Sequence, residues 1–319
     1  MLSLTSKRRQ TRSLWHRAPI GAVFALLCLA LAAPALAAKS SQTSFASPEQ
    51  AVDGLVAAMR ASSTSDLIKV LGPDSKSLVS SGDRVADSQA REKFLAAYRD
   101  ANKIVKQGDS KAVLVIGQDE WPFPIPVVKS GAAWHFDTKA GKEEILNRRI
   151  GANELGTIDV CHAYVDAQRD YATKDRNNDG FIEYAQRFLS SPGKHDGLYW
   201  PAASGEEESP MGPLIVSAQA QGYKAQKGQR TPYRGYYYKI LTGQGSHAPG
   251  GAIDYVIKGH MIGGFALVAY PAQYGASGIM TFIVNHDDVV YQKDLGPNTA
   301  AIANRMTRFD PGEGWTKVP

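Results

Sequence analysis

A long amphipathic segment in the middle of the chain constrains the fold more than any other feature. Between Lys142 and Lys174, mostly apolar residues recur at helical spacing: Leu146, Ile150, Leu155, Ile158, Cys161, Val165, Gln168 and Tyr171. This pattern predicts a central helix of unusual length. Gly151 and Gly156 each weaken a helix by about 1 kcal/mol relative to alanine, so we expect a break or kink near them.

The residues before this helix change from a helical to an extended pattern. Ser47-Pro48-Glu49-Gln50 is a typical helix start, with a capping serine and a proline in the first turn. Lys111 to Ile116 and Ala133 to Phe136 fit strands, and the prolines of Trp121 to Pro126 restrict that segment to a sheet edge. Helices followed by a small antiparallel sheet predict an α+β domain over residues 45–142. By analogy, we expect the nuclear-transport-factor-like fold there.

The residues after the helix are rich in strand patterns. Residues 190–229 read as an irregular loop dense in Gly, Pro and Ser. Five strand-like segments follow, with turn residues between them: Tyr236 to Thr242, Ile253 to Lys258, Gly264 to Ala269, Gly278 to Val284 and Val289 to Gln292. We therefore expect a second unit over residues 143–319, in which an antiparallel meander packs against the long helix.

Residues 1–37 have the pattern of a secretory signal peptide. Five basic residues precede an apolar run from Ile20 to Ala33, and Ala35-Leu36-Ala37 provides the small residues that a signal peptidase requires. The apolar run is shorter than the ~20 residues of a membrane-spanning helix. We therefore expect a periplasmic or secreted protein that begins near Ala38 and has no membrane span after cleavage.

The composition of the exported part excludes some functions and limits the sources of stability. The whole chain has 36 basic and 31 acidic residues, and removal of the five basic residues of the leader leaves a formally neutral protein. A neutral surface without a basic stripe argues against nucleic acid as a partner. Cys161 is the single cysteine after the leader, so an internal disulfide is excluded and hydrophobic cores must stabilise the fold.

The segment that follows the long helix has the spacing of a calcium-binding loop. Oxygen-bearing side chains stand at Asp175, Asn177 and Asp179, a backbone carbonyl is available at Phe181, and Glu183 follows at the ninth position. Gly180 permits the sharp turn that such a loop needs. The twelfth position is Gln186 rather than a bidentate glutamate, which favours weak calcium affinity, in the ~10⁻⁴–10⁻³ M range. The alternative is a polar turn that binds nothing.

The common catalytic motifs are absent from the sequence: it has no Gly-x-Ser-x-Gly elbow, phosphate-binding loop or His-Glu-x-x-His helix. The six histidines after the leader are scattered singly. The best candidate for a binding surface is a loop that brings polar and aromatic groups together, formed by His195, Asp196, Tyr199 and Trp200. The alternative for these four residues is a structural turn that fills a groove between the two halves.

Several motifs, taken in order, carry a resemblance to a known family. They are Ser81-Gly82-Asp83, Trp121 to Pro126, Arg148 to Gly151 with Asn153 to Leu155, Ala167 to Ala172, Asp196 to Trp200, Tyr233 to Tyr238 and Val289 to Gly296. Through them the chain resembles the bacterial exported family catalogued as domain of unknown function 2950, from about Phe45 to the end. The resemblance implies export and a single architecture, without a reaction, cofactor or catalytic residues. The segment from Tyr233 onward is also similar to the C-terminal sheet of pilin-like proteins.

These observations predict an exported protein that acts without catalysis, through a partner at the cell envelope, either a protein or a polymer. Calcium, where it binds, has a structural role between the helix and the C-terminal sheet. The alternative is an envelope hydrolase or carbohydrate-acting enzyme whose carboxylates come from distant segments. Asp175, Glu183, His195 and Asp196 are then the candidate catalytic residues.

Overall fold

A computed structural model of the chain describes residues 42–224 and 230–318. The predicted signal peptide, residues 1–37, lies outside the described residues. Seven α-helices occur in the described part: α1 (Pro48–Arg60), α2 (Thr64–Leu71), α3 (Lys76–Val79), α4 (Arg84–Asp100), α5 (Thr138–Tyr171), α6 (Gly212–Ala220) and α7 (Thr299–Arg305). None of them is both long and apolar enough to cross a lipid bilayer.

The first four helices cover a small antiparallel sheet. Its strands are β1 (Asn102–Lys106), β2 (Lys111–Ile116), β3 (Trp121–Pro122), β4 (Val127–Ser130) and β5 (Ala133–Phe136), ordered β1-β2-β4-β5 with β3 beside β2. Helix α1 begins as its sequence predicts, because the Ser47 hydroxyl accepts a hydrogen bond from the Gln50 N–H at 3.2 Å. The buried faces of α1, α2 and the sheet form the first hydrophobic core.

The central helix α5 is continuous over 34 residues. The expected break near Gly151 and Gly156 is therefore wrong. At Gly156 the Arg234 side chain packs so closely that an added Cβ would lie 2.7 Å from its Nη1. The absence of a side chain at Gly156 therefore makes room for Arg234 against the helix, and tertiary packing rather than intrinsic propensity supplies most of the stability of a helix in a protein.

The C-terminal half contains the second hydrophobic core, between α5 and a five-stranded antiparallel sheet. The sheet order is β15-β13-β12-β11-β6. The remaining strands form two smaller sheets. The bounds are β6 (Tyr236–Leu241), β7 (Gly243–Gln244), β8 (Ile253–Asp254), β9 (Val256–Ile257), β10 (His260–Met261), β11 (Ala266–Pro271), β12 (Met280–Asn285), β13 (Tyr291–Asp294), β14 (Arg308–Phe309) and β15 (Thr316–Lys317).

The structure thus confirms the α+β class, with a long central helix and C-terminal antiparallel strands. The segment 190–229 was expected to be irregular throughout, and this is wrong for Gly212–Ala220, which form helix α6. Pro213 lies in the first turn of α6, where a proline is tolerated because its missing N–H has no partner in any case. The boundary predicted between residues 142 and 143 stays a prediction.

Polar contacts join the two halves across α5 and the start of α4. The Asp83 carboxylate, buried at the start of α4, accepts hydrogen bonds from the Tyr223 hydroxyl and the Gly235 N–H, both at 2.9 Å. Asn153 on α5 donates to the Ser277 carbonyl at 2.8 Å. The neighbouring Glu154 accepts hydrogen bonds from two backbone N–H groups at the start of β12. Several of the motifs that carried the family resemblance therefore lie at this junction.

Candidate metal centre

The predicted calcium loop lies directly after α5 and is held at both ends by α5. At its start, the Arg176 guanidinium donates to the Tyr171 and Asp170 carbonyls at 3.0 and 2.9 Å. Beyond its end, the buried Gln168 amide pairs in both directions with the backbone of Ala185, each hydrogen bond being 2.8 Å. Side chains of α5 and the loop itself therefore fix both ends of the loop against the end of this helix.

Asp175 shapes the loop from its first position. Its carboxylate accepts hydrogen bonds from the Asp179 N–H at 3.3 Å and the Gly180 N–H at 2.9 Å. Gly180 has φ = +91°, in the region that glycine adopts without strain, so the turn is as tight as the sequence predicts. Asp175 thus stabilises the turn through its own oxygens and lies outside the cluster formed by the other acids.

Three of the predicted ligands converge in the middle of the loop. The Asn177 Nδ2 donates to Asp179 Oδ2 and to Glu183 Oε1, both at 2.8 Å. Glu183 is only 8% exposed, and its other oxygen accepts a hydrogen bond from the Met261 N–H at 3.1 Å. Two carboxylates, one of them buried, therefore face each other with a single neutral amide between them.

His260, a single histidine that no motif in the sequence marks as a ligand, completes the cluster. Its Nδ1 lies 3.3 Å from Glu183 Oε2 and 3.5 Å from Asp179 Oδ2, and this nitrogen is buried without a hydrogen-bond partner. The ligand atoms of Asp179, Glu183 and His260 all lie within 4.8 Å of one another. The Phe181 ring stacks on the imidazole with centroids 3.9 Å apart, which covers one side of the cluster.

The donor set fits a divalent cation. Carboxylate and amide oxygens of Asn177, Asp179 and Glu183 suit calcium, whereas an imidazole nitrogen is a ligand that zinc and other transition metals prefer. At the twelfth position of the loop, where a calcium-binding loop has a bidentate glutamate, Gln186 makes a different contact. Gln186 Nε2 donates to the Gly259 carbonyl at 2.7 Å, so this side chain ties the loop to the turn before β10.

The two polar residues of the predicted binding loop lie beside this cluster. His195 and Asp196 line a cavity of about 470 Å³ together with Asn177 and Asp179. Asp196 also lines the adjoining cavity of about 350 Å³, whose walls include Glu183 and His260. The structure thus brings two separately predicted sites, the calcium loop and the His195-Asp196 pair, to one polar cleft.

Asp196 is held in its ionised form. Its oxygens accept hydrogen bonds from the Ser191 N–H at 2.7 Å and the Ser191 hydroxyl at 2.9 Å, and Arg187 lies 3.5 Å away. Burial opposes ionisation, but the hydrogen bonds from Ser191 and the charge of Arg187 outweigh it, so the pKa of the Asp196 carboxyl lies below its usual value. A carboxylate of this kind suits cation binding better than proton donation.

The two aromatic residues of the predicted binding loop lie apart from the polar cleft. Trp200 is 4% exposed, and its ring stacks on His195 with centroids 4.1 Å apart. The His195 carbonyl also accepts a hydrogen bond from the Tyr171 hydroxyl at 2.7 Å. Tyr199 is half-buried and lines a different, apolar cavity. Trp200 therefore does not line the cleft but packs against His195, which does.

No curated protein and no solved structure matches the chain, so the likeness of its C-terminal sheet to pilin-like proteins stays a prediction. A family model matches nearly all of the described sequence, over residues 42–318. The chain therefore belongs to the family described as "Protein of unknown function (DUF2950)".

Proposed function

We propose that this chain is an exported protein that acts by binding at the cell envelope, without catalysis, and that a calcium ion held by the loop at residues 175–183 stabilises it. The observation that carries the calcium proposal is the convergence of Asp179, Glu183 and Asn177 with His260, which comes from a separate strand. The observation behind export is the signal-peptide pattern of residues 1–37.

The electrostatics of the cluster favour a bound cation. Burial of a carboxylate is costly unless a charge or several hydrogen bonds compensate, and a second carboxylate nearby adds repulsion. Glu183 receives two hydrogen bonds, from Asn177 and the Met261 N–H, but no arginine or lysine among the described residues lies within ion-pair distance of it. Among the described residues, the basic side chain close to both carboxylates is His260, whose Nδ1 lies 3.3 Å from Glu183 Oε2 and 3.5 Å from Asp179 Oδ2, and one imidazolium balances at most one of the two negative charges. A calcium ion between Asp179 and Glu183 balances both.

Calcium is favoured over zinc by the number of oxygen donors. The loop offers oxygens of Asn177, Asp179 and Glu183, with Asp196 across the cleft, against the single nitrogen of His260. For Asn177, ion binding requires a rotation of the amide, so that Oδ1 replaces Nδ2 on the side of the carboxylates. Since Glu183 also holds the backbone of β10, an ion here ties the end of α5 to the C-terminal strands.

Thermal unfolding tests the calcium proposal. With a dissociation constant in the ~10⁻⁴–10⁻³ M range, calcium at ~10⁻² M stabilises the folded state by about 1.4–2.7 kcal/mol. For a chain of this size the midpoint rises by about 2–5 °C relative to the chelator-treated protein. Glu183→Gln removes this rise, whereas the control Glu208→Gln, at an exposed acid outside the cluster, keeps it. Identical midpoints with calcium and with chelator refute the proposal.

The role of His260 distinguishes calcium from a transition metal. His260→Ala keeps the calcium-dependent rise if oxygens bind the ion, but it abolishes any rise caused by zinc. A protein that zinc stabilises and calcium does not contradicts the calcium assignment. Export is tested separately, by the N-terminal sequence and fractionation of the protein from cells. We expect a chain that begins at Ala38 and lies outside the cytoplasm.

One observation favours a second candidate function, an envelope hydrolase. Asp179, Glu183 and Asp196 line adjoining walls of one polar cleft, and His195 lies at its edge. Hydrolysis of envelope polysaccharide by the purified protein, lost in Glu183→Gln, supports the enzyme. Retention of a specific envelope protein or polymer on the immobilised protein, without hydrolysis, supports the binding function.

A further inference from the structure

A further cavity, separate from the polar cleft, lies between α4 and the N-terminal sheet. Its volume is about 630 Å³, within the range of about 300–1,000 Å³ that small-molecule sites occupy. The walls are mainly aliphatic and aromatic and come from helices α1 to α5, the sheet and the segment after β3. The residues that form its apolar floor include Leu67, Leu71, Phe94, Ile116, Phe123 and Ile125.

The cavity exists because α4 stands away from the core that it covers. None of the 17 residues of α4 is fully buried, although Phe94, Leu95 and Tyr98 pack against the first hydrophobic core. An amphipathic helix that covers a sheet ordinarily buries its apolar stripe. The floor residues belong to the first hydrophobic core, and Phe94 of α4 reaches them through Phe123, with ring centroids 5.5 Å apart. Beside this contact the space between α4 and the core remains as an apolar cavity.

Positive charge surrounds this apolar space. The cavity is lined by four cationic side chains, Arg91, Lys93, Arg148 and Arg149, and by two carboxylates, Asp87 and Asp119. Both oxygens of Asp87 already accept a hydrogen bond from the Ser81 N–H, at 3.2 and 3.1 Å. The balance of charge at the cavity is therefore positive.

Two of these cations lack an acidic partner in the described part of the chain. Arg149 is half-buried and donates to the neutral carbonyls of Ser77, at 2.8 Å, and Leu78. Burial lowers the pKa of the Arg149 guanidinium, and the charge of Asp87 opposes this effect only in part. At Arg91, the Nε–H is buried without a hydrogen-bond partner. Within residues 42–224 and 230–318, no carboxylate lies within ion-pair distance of either arginine.

An apolar cavity bordered by two arginines that have no ion-pair partner matches one class of ligand. We propose that this cavity binds a single-chain amphiphile with an anionic head, whose hydrocarbon chain lies against the apolar floor beneath α4 and whose head pairs with Arg149 and Arg91. Burial of the chain supplies affinity, and the head supplies the negative charge that the two arginines lack. The head is a carboxylate, as in a fatty acid, or a phosphate monoester, as in a lysolipid.

Direct titration of the purified full chain tests the proposal. Dodecanoate, dodecyl phosphate and dodecanol have the same hydrocarbon chain and differ in the head. Displacement of a fluorescent fatty-acid probe, or quenching of Trp121 in the cavity wall, reports their binding. We expect one molecule of an anion per chain, with dodecanol weaker by about tenfold or more, since it cannot form the charge-assisted hydrogen bonds. The preferred anion identifies the head.

Variants on α4 separate the site from non-specific adsorption. Arg91→Met weakens anion binding by about tenfold, whereas Arg84→Met, an exposed arginine on the same helix outside the cavity, leaves it unchanged. Ala97→Phe fills the cavity from α4 and abolishes binding. Circular dichroism and melting midpoints of each variant confirm that it is folded. Absence of anion binding by the folded wild-type protein overturns the proposal, as does undiminished binding by folded Arg91→Met or Ala97→Phe.

Discussion

Replacement of Asp83 tests whether the two halves of the protein are fixed to each other by buried polar contacts. Asp83 is 1% exposed and accepts four hydrogen bonds. Its Oδ1 caps α4 through the Val85 and Ala86 N–H groups, both at 3.1 Å. Its Oδ2 accepts hydrogen bonds from the Tyr223 hydroxyl and the Gly235 N–H, both at 2.9 Å. One side chain therefore starts a helix and holds two distant segments.

The cost of Asp83→Ala follows from these contacts. Loss of a helix cap costs about 1 kcal/mol. The Tyr223 hydroxyl and the Gly235 N–H are then left buried without an acceptor, at about 1–3 kcal/mol each. The sum is about 3–7 kcal/mol, a large part of the 5–15 kcal/mol by which proteins are usually stable. Asp83→Asn keeps the cap, and the Tyr223 hydroxyl can turn to accept a hydrogen bond. That variant therefore loses about 1–3 kcal/mol, mainly at Gly235.

Urea unfolding followed by far-UV circular dichroism measures these losses. With a slope of about 3 kcal/mol per molar urea, a loss of 3 kcal/mol lowers the midpoint by about 1 M. Ser63→Ala is the matched control, because Ser63 caps α2 through the Asp66 N–H at 3.2 Å and has no long-range hydrogen bond among the described residues. It costs about 1 kcal/mol. If Asp83→Ala costs no more than Ser63→Ala, the reasoning about the junction is wrong.

Two further predictions concern buried titratable groups. Burial raises the pKa of the Cys161 thiol far above its usual value, so we expect no reaction with a thiol reagent in the native protein and full reaction after denaturation; rapid labelling of the native protein contradicts this. Burial also raises the pKa of Tyr171 and of Tyr255 to about 12 in each case. Because the unfolded chain releases these protons at a lower pH, near 10, stability is complete below pH ~10 and falls as the pH rises toward 12. Unfolding free energies measured across this range check the sign, and a stability that stays constant or rises refutes it.

Much of the fold follows from patterns that act over a few residues. The cap at Ser47 places the start of α1, and the apolar period from Leu146 to Tyr171 gives α5. Two predictions failed, the break in α5 and the irregular structure of residues 212–220. At Gly156 the helix is supported by the Arg234 side chain, whereas α5 continues through Gly151 without such a contact. Helix α6 was missed because its segment is surrounded by Gly, Pro and Ser, which dominated the pattern.

The candidate metal centre was predictable only in part. The spacing from Asp175 to Glu183 identified the loop, because alternate residues of a tight turn direct their oxygens to one side. His260 gave no such signal, since it is a single histidine without a motif around it. Its approach to Glu183 depends on how β10 packs beside the loop, where the Met261 N–H reaches the same carboxylate from 78 positions away. The cavity under α4 has no sequence signature either, because a space between elements depends on their packing.

The sequence by itself determined the α+β class, the long central helix and the tight acidic turn that follows it, since each depends on neighbouring residues. Only the tertiary structure decided which distant groups meet: His260 with Asp179 and Glu183, Asp196 with the same cleft, and Asp83 with Gly235, 152 positions apart. The physical reason is that periodicity, capping and turn propensity act locally. Convergence of charges and the shape of cavities arise when separate hydrophobic faces are buried together.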